Sequence, residues 1–225
     1  MLRISDRIYA DDAVTAMDFD KRPMASPYAE LPFLLIGDFL SPEACRNILE
    51  AIDPSQMIDA GLLSGDKKID ETVRNTRLHA MPPIADGLYG AAFEEHRRGI
   101  ESFFGVALAG ASRPQLLEYL PGSFYRRHAD DSSEIVDKTG RCVGYKKVAP
   151  QRVVTTVLFL NTQGEDFEGG TLRFNYLFDE NGNPADLAPE AGTLVAFPSH
   201  PLFAHEVFPV TAGRRVTVAQ WHNAV

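Results

Sequence analysis

Only two cysteines, Cys45 and Cys142, occur in the 225 residues. Two thiols so far apart build neither a disulfide framework nor a thiolate metal site, so both are expected to be free. No uninterrupted apolar run reaches the length of a membrane span, and the opening Met-Leu-Arg-Ile-Ser-Asp-Arg lacks the apolar core of a signal peptide. The expected location is the cytoplasm, with no membrane partner. Positive charge is also short: the formal net charge is −9 and the pI is about 5.1. That balance disfavours a nucleic-acid partner, whose phosphate backbone must be gripped along a long surface. The basic pairs Arg126-Arg127, Lys146-Lys147 and Arg214-Arg215 then read as solvated faces. No internal repeat and no low-complexity segment is present.

What the chain does have is the make-up of one globular unit, with 44% hydrophobic residues. Residues 1–225 are expected to form a single domain, with an arm and supporting helices over 1–112 and a β core over 113–225. The first thirty residues, polar and broken by Pro23, Pro27 and Pro32, suggest an irregular arm. Phe33 to Ile36 reads as a strand. Ser41-Pro42 supplies an N-cap and a first-turn proline for a helix running to about Ile52. A second helix is predicted over Asp86 to Phe104, because Tyr89, Phe93, His96, Ile100 and Phe103 recur at helical intervals, with Gly105 ending it. From Gln115 onward, short alternating or β-branched runs separated by Gly, Pro and Asn predict strands.

Within that β region, His128-Ala129-Asp130 is followed by a second histidine, His205, and by Arg215. Two histidines and one carboxylate are the set that holds one face of an Fe(II) ion and leaves the opposite positions open. With six histidines and seventeen aspartates, chance alone supplies roughly half of one His-x-Asp pair, so the motif by itself is weak. In a strand, alternate residues share a face, so His128 and Asp130 would point the same way, as would Arg215, Thr217, Ala219 and Trp221. His200 competes with His205 for the third ligand, but it sits in Pro198-Ser-His-Pro201, a loop signature. His96 lies on an apolar helical stripe and reads as a core histidine, while His79 and His222 carry no usable pattern.

The surrounding segments raise the motif above chance. They are Leu-Glu-Tyr119-Leu-Pro-Gly122-Ser-Phe-Tyr125-Arg-Arg-His128-Ala-Asp130, Gln151-Arg152-Val-Val-Thr155 through Phe159-Leu-Asn161, Phe167-Glu-Gly-Gly170-Thr-Leu172, Gly192 to Phe197, and His205 to Thr217 running on to Trp221. In this order and spacing they resemble the prolyl 4-hydroxylase-like branch of the Fe(II)/2-oxoglutarate dioxygenases. The resemblance covers about Pro114 to the C-terminus and, more loosely, Asp38 to Cys45.

The resemblance implies a mainly β fold with N-terminal helices, in which a double-stranded β-helix, or jelly roll, is buttressed on one sheet. It implies Fe(II) held by His128, Asp130 and His205, since His205 stands ahead of Arg215 at the family's offset. 2-Oxoglutarate would be the cosubstrate, with its distal carboxylate on Arg215 rather than Arg214, and ascorbate is a candidate reductant. Tyr119, by resemblance, would donate to the cosubstrate, and Thr217 would add a hydroxyl from the face of Arg215. The implied reaction couples oxidative decarboxylation, giving succinate and CO2, to hydroxylation of a C–H bond. A prolyl residue in a peptide or protein is the first-choice substrate, and a free amino acid or other small molecule is the alternative. A non-catalytic jelly-roll binding module is the alternative of another class, and halogenation is disfavoured because Asp130 fills the position a halide needs. Two departures stand out. Phe159 replaces a tyrosine of some relatives, and residues 131–147 form a long polar stretch that reads either as a disordered loop or as a substrate lid. The oligomeric state is left open.

Overall fold

The computed structural model describes residues 1–58 and 73–225. Two antiparallel sheets curl around a shared interior. Among the described residues, the first sheet runs Leu2–Arg3, Tyr9–Ala10, Leu172–Phe178, His205–Val207, Phe124–His128 and Arg74–Asn75, with Pro184–Leu187 beside Leu172–Phe178. The second runs Leu34–Ile36, Leu194–Pro198, Val154–Phe159, Arg215–Ala224, Gln115–Tyr119, Arg77–His79 and Met57–Ile58, with Leu108–Ala111 beside the end of Arg215–Ala224. Neighbouring strands are mostly distant in sequence. This is the double-stranded β-helix, mainly β with few helices.

The alternation of strand residues sorts two hydrophobic layers. Leu117 and Tyr119 point inward, toward Phe33, Phe159, Phe174, Phe197 and Phe203 between the sheets. Leu116, Val216, Val218 and Leu158 point outward, onto Phe39, Ile48, Tyr89, Phe93 and Ile100. Because both faces of the second sheet are covered, Leu194–Pro198 is buried at every position and reads as a continuous apolar run.

The covering layer comes from helices Pro42–Glu50 and Pro83–Phe104. Ser41 caps the first, its Oγ accepting from the Ala44 N–H at 3.1 Å. The second starts a few residues ahead of the predicted Asp86, since Pro83 is tolerated in a first turn, and ends at Gly105, whose φ of 62° is left-handed. His96, expected in the core, is only half-buried on this helix, with its Nδ1 2.9 Å from the Ala92 carbonyl and its ring beside Phe39.

Two expectations are corrected. The N-terminal arm is not irregular throughout: Leu2–Arg3 pairs with Tyr9–Ala10, which in turn adds to Leu177 and Phe178 of the first sheet. Strands of two residues are too short to show a period. The segment 131–147 is not a disordered loop either, but a hairpin in which Ser132–Val136 pairs with Cys142–Lys147. Its turn is closed by the Asp137 carboxylate, which accepts from the N–H groups of Thr139 and Arg141.

Candidate active site

The structure brings His128, Asp130 and His205 together. His128 ends the strand Phe124–His128, His205 opens the strand His205–Val207, and the two are direct cross-strand partners. Asp130 lies just past the strand, so strand alternation alone does not aim it. Its backbone N–H donates to the Ser199 carbonyl at 3.1 Å, and Arg152 Nη1 donates to its carbonyl at 3.0 Å. Its Oδ2 accepts from Thr155 Oγ1 at 2.7 Å. His128 Nε2 is then 3.9 Å from Asp130 Oδ1, and His205 Nε2 is 4.0 Å from Oδ2. One ligand atom from each residue lies within 4.8 Å of the others.

The donor set fits a divalent transition metal. His128 Nδ1 is 2.9 Å from the Arg126 carbonyl, and His205 Nδ1 is 3.0 Å from the Phe203 carbonyl. Each ring therefore donates through Nδ1 to the carbonyl two residues before it, which leaves both Nε2 lone pairs free for a metal. Burial, reinforced by the neighbouring His205, pushes the His128 pKa well below its ordinary value and keeps that ring neutral. Burial opposes ionisation of Asp130, but His205, His128 and the Thr155 hydroxyl outweigh it and hold the carboxylate ionised.

Arg215, Thr217, Ala219 and Trp221 line one cavity together with Leu117, Tyr119 and the three clustered residues. Arg215 pairs across strands with Tyr119, whose ring centroid is 4.7 Å from its Cζ, while that of Phe159 is 5.7 Å away. The Arg215 side chain is 1% exposed, and its Nε has no partner among the described residues. Among the described residues no carboxylate pairs with it, and burying a guanidinium without one is costly. The arrangement is met by an anion entering from the cavity, and the distal carboxylate of 2-oxoglutarate has the charge and planarity for it.

The other expected contenders stand elsewhere. Arg214 points outward and pairs with Glu118. His200 is buried away from the cluster, donating Nε2–H to the Pro23 carbonyl at 3.1 Å. His79 contacts Glu118 at 2.9 Å, and His222 contacts Thr156 at 2.9 Å while stacking on Phe93.

Four further side chains beside the cluster were given no role in the site from the sequence. The Tyr125 ring stacks on His128 at 3.6 Å. Arg152 Cζ lies 4.2 Å from the ring of Trp221, whose indole N–H approaches Asp130 closely enough to lower its pKa without forming a full hydrogen bond. Arg74 lines the cavity with a buried Nη2 that has no partner among the described residues. Tyr125 and Arg152 stood within the quoted segments. Arg74 carried no signal.

Comparison with known proteins agrees with this geometry. Residues 114–223 match the 2OG-Fe(II) oxygenase superfamily. A putative prolyl 4-hydroxylase of Acanthamoeba polyphaga mimivirus is 23% identical over 214 residues, 91% of this chain and 78% of that protein. Mouse prolyl 3-hydroxylase 3 is 37% identical over 96 residues, 43% of this chain but 12% of the mouse protein. The crystal structure of a Pseudomonas putida prolyl-4-hydroxylase superposes with a TM-score of 0.61 at 25% identity, covering 85% of this chain and 91% of that one. The family match, the relatives and the cluster of His128, Asp130 and His205 support a prolyl hydroxylase-like 2OG-Fe(II) oxygenase that uses Fe(II) and 2-oxoglutarate.

Proposed function

We propose that this oxygenase hydroxylates a prolyl residue within a peptide or protein, with release of succinate and CO2. The observation that carries the reading is one cavity lined both by the His128, Asp130 and His205 cluster and by the buried Arg215, whose Nε has no partner among the described residues. Bound Fe(II) and 2-oxoglutarate would supply the oxidising chemistry. The chain's own residues do the rest. His128, Asp130 and His205 would hold the metal, with Thr155 and the two backbone carbonyls fixing their orientation. Arg215 would anchor the distal carboxylate, Tyr119 would donate to the cosubstrate from the facing strand, and Thr217 would add a hydroxyl. Phe159 offers no such donor. Tyr125 and Trp221 line the cavity with aromatic rings, which would suit the apolar ring of proline and keep water from the reacting carbon.

The names of the relatives support the prolyl substrate. A second reading, hydroxylation of a free amino acid, is favoured by Arg74, whose buried Nη2 has no partner among the described residues and would suit a free substrate carboxylate. Cytoplasmic residence belongs to the same proposal and is supported by two free thiols. Succinate release measured across proline-containing peptides and free amino acids, with mass spectrometry for gain of one oxygen on proline, tests the proposal. Turnover of peptides and not of free proline is expected. Turnover confined to free amino acids would overturn it in favour of the second reading.

A further inference from the structure

Asp130 is buried and ionised, so both of its carboxylate oxygens need partners. A metal held by His128, Asp130 and His205 takes one oxygen. The other keeps its charge inside the fold, and the protein must supply its donors. One donor is the Thr155 hydroxyl, which reaches Oδ2 at 2.7 Å. That bond uses the single hydroxyl hydrogen of Thr155, so in the 2.9 Å contact between Thr155 Oγ1 and Ser199 Oγ the serine is the donor. The hydrogen bonds therefore run one way, from Ser199 through Thr155 to Asp130, and each strengthens the next.

The indole of Trp221 offers a second donor. Trp221 stands directly opposite Thr155 across the strands Val154–Phe159 and Arg215–Ala224, which brings the two side chains together on one face. Both line the cavity with Asp130. Trp221 Nε1 is buried and has no hydrogen-bond partner among the described residues. An indole nitrogen can only donate, and leaving a buried donor unpaired is costly. The N–H comes near enough to Asp130 to help, after His205, His128 and Thr155, in keeping the carboxylate ionised against its burial. The surroundings hold both residues in place. The Trp221 backbone N–H donates to Ser112 Oγ at 3.2 Å, and its carbonyl accepts from the Ser112 N–H at 2.8 Å. Arg152 lies over the indole ring at 4.2 Å and donates to the Asp130 carbonyl at 3.0 Å. The Asp130 N–H is on the Ser199 carbonyl at 3.1 Å. With its backbone fixed at both ends, Asp130 has only its side-chain torsions with which to share its oxygens between metal and donors. An apolar wall alone would be served by a phenyl ring; what the indole adds is one donor beside a metal-ligating carboxylate.

We propose that Trp221 is a positioning residue for Asp130: its indole N–H and the Thr155 hydroxyl together hold the carboxylate oxygen that the metal does not take, so that Asp130 ligates through one oxygen. A carboxylate that closed on the metal with both oxygens would fill a position that the cosubstrate or dioxygen needs. The assignment does not depend on which C–H bond is hydroxylated, so it stands or falls apart from the prolyl reading.

Trp221 is the single tryptophan of the chain, so its indole N–H gives one resonance in a nitrogen–proton correlation spectrum. Zinc serves as the diamagnetic divalent probe. Zinc loading of the parent is expected to move this resonance downfield and to slow exchange of its proton with solvent, and Asp130→Ala should abolish both changes. Metal affinity is the second readout. Trp221→Phe should bind zinc at least about tenfold more weakly than the parent. The same loss is expected when benzothienylalanine, a ring of the same shape with sulfur in place of the N–H, occupies position 221. An indole resonance that zinc leaves in place, or that moves equally in Asp130→Ala, overturns the proposal. So does a benzothienyl protein that binds zinc as tightly as the parent, which would leave Trp221 with packing alone. If Trp221→Phe does not fold, the resonance of the parent and the affinity of the benzothienyl protein decide.

Discussion

At the scale of single residues, burial separates side chains that look alike in the sequence. Arg214 and Arg215 are adjacent, but one meets Glu118 and the other lines the cavity with no ionic partner among the described residues. Hydrogen bonds to a charged group contribute about 1.5 to 3 kcal/mol each, so Arg215→Ala should weaken 2-oxoglutarate binding by at least about tenfold. Arg214→Ala should leave that affinity nearly unchanged, because its guanidinium is engaged on the other face of the sheet. Anaerobic titration of both variants with iron present checks this, and equal losses would refute the assignment of the final strand. His200 and His205 divide in the same way. The loop signature and family offset favoured His205, and the fold adds the physical reason, since His205 is the cross-strand partner of His128 whereas His200 donates to Pro23.

At the scale of elements, the strand Arg215–Ala224 shows what alternation can deliver. Arg215, Thr217, Ala219 and Trp221 were expected on one face and all line the cavity. The Gly169-Gly170 pair shows what alternation omits. Gly170 has φ of +66°, and a Cβ there would stand 2.8 Å from Arg215 Cδ. Gly170→Ala should therefore cost stability through its left-handed backbone, on the order of 1 to 2 kcal/mol, and should also displace Arg215 and weaken 2-oxoglutarate binding. Gly122, with φ of +87° and nothing within 4 Å of its Cβ position, is the control. Gly122→Ala should lose stability alone. Thermal melts combined with 2-oxoglutarate titration separate the two effects, and unchanged affinity in Gly170→Ala would show that Arg215 is not held against that glycine.

At the scale of the whole molecule, buried neutral histidines link stability to pH. Burial lowers the pKa of His200 to about 4, against some support from the Pro23 carbonyl, and burial likewise lowers that of His222 to about 4. The unfolded chain takes up a proton near pH 6.5 at each of these residues, while the folded chain resists until about 4. The unfolded state thus binds more protons across that window, so stability is full above it and falls as pH drops through it, by roughly 3 kcal/mol per histidine at most. In metal-free protein, the lowered pKa of His128 acts in the same direction. Urea unfolding of metal-free protein at about pH 7 and pH 5 should show a clear loss at the lower value, reduced in His200→Phe. A stability that did not change between the two would contradict the buried neutral state.

The sequence by itself determined the β core, the two supporting helices with their Ser41 and Gly105 ends, and the order of His128, Asp130, His205 and Arg215, because caps, period and spacing are local properties of the chain. Only the tertiary structure decided that Asp130 reaches the cluster from beyond its strand, that Arg74 lines the cavity and Arg152 holds the Asp130 carbonyl, and that residues 132–147 form an anchored hairpin. Those outcomes depend on partners far away in sequence, such as Thr155 and Ser199 for Asp130 or Tyr176 for Tyr145. Two-residue strands and single hydrogen bonds across the fold leave no periodic trace in the residues that make them.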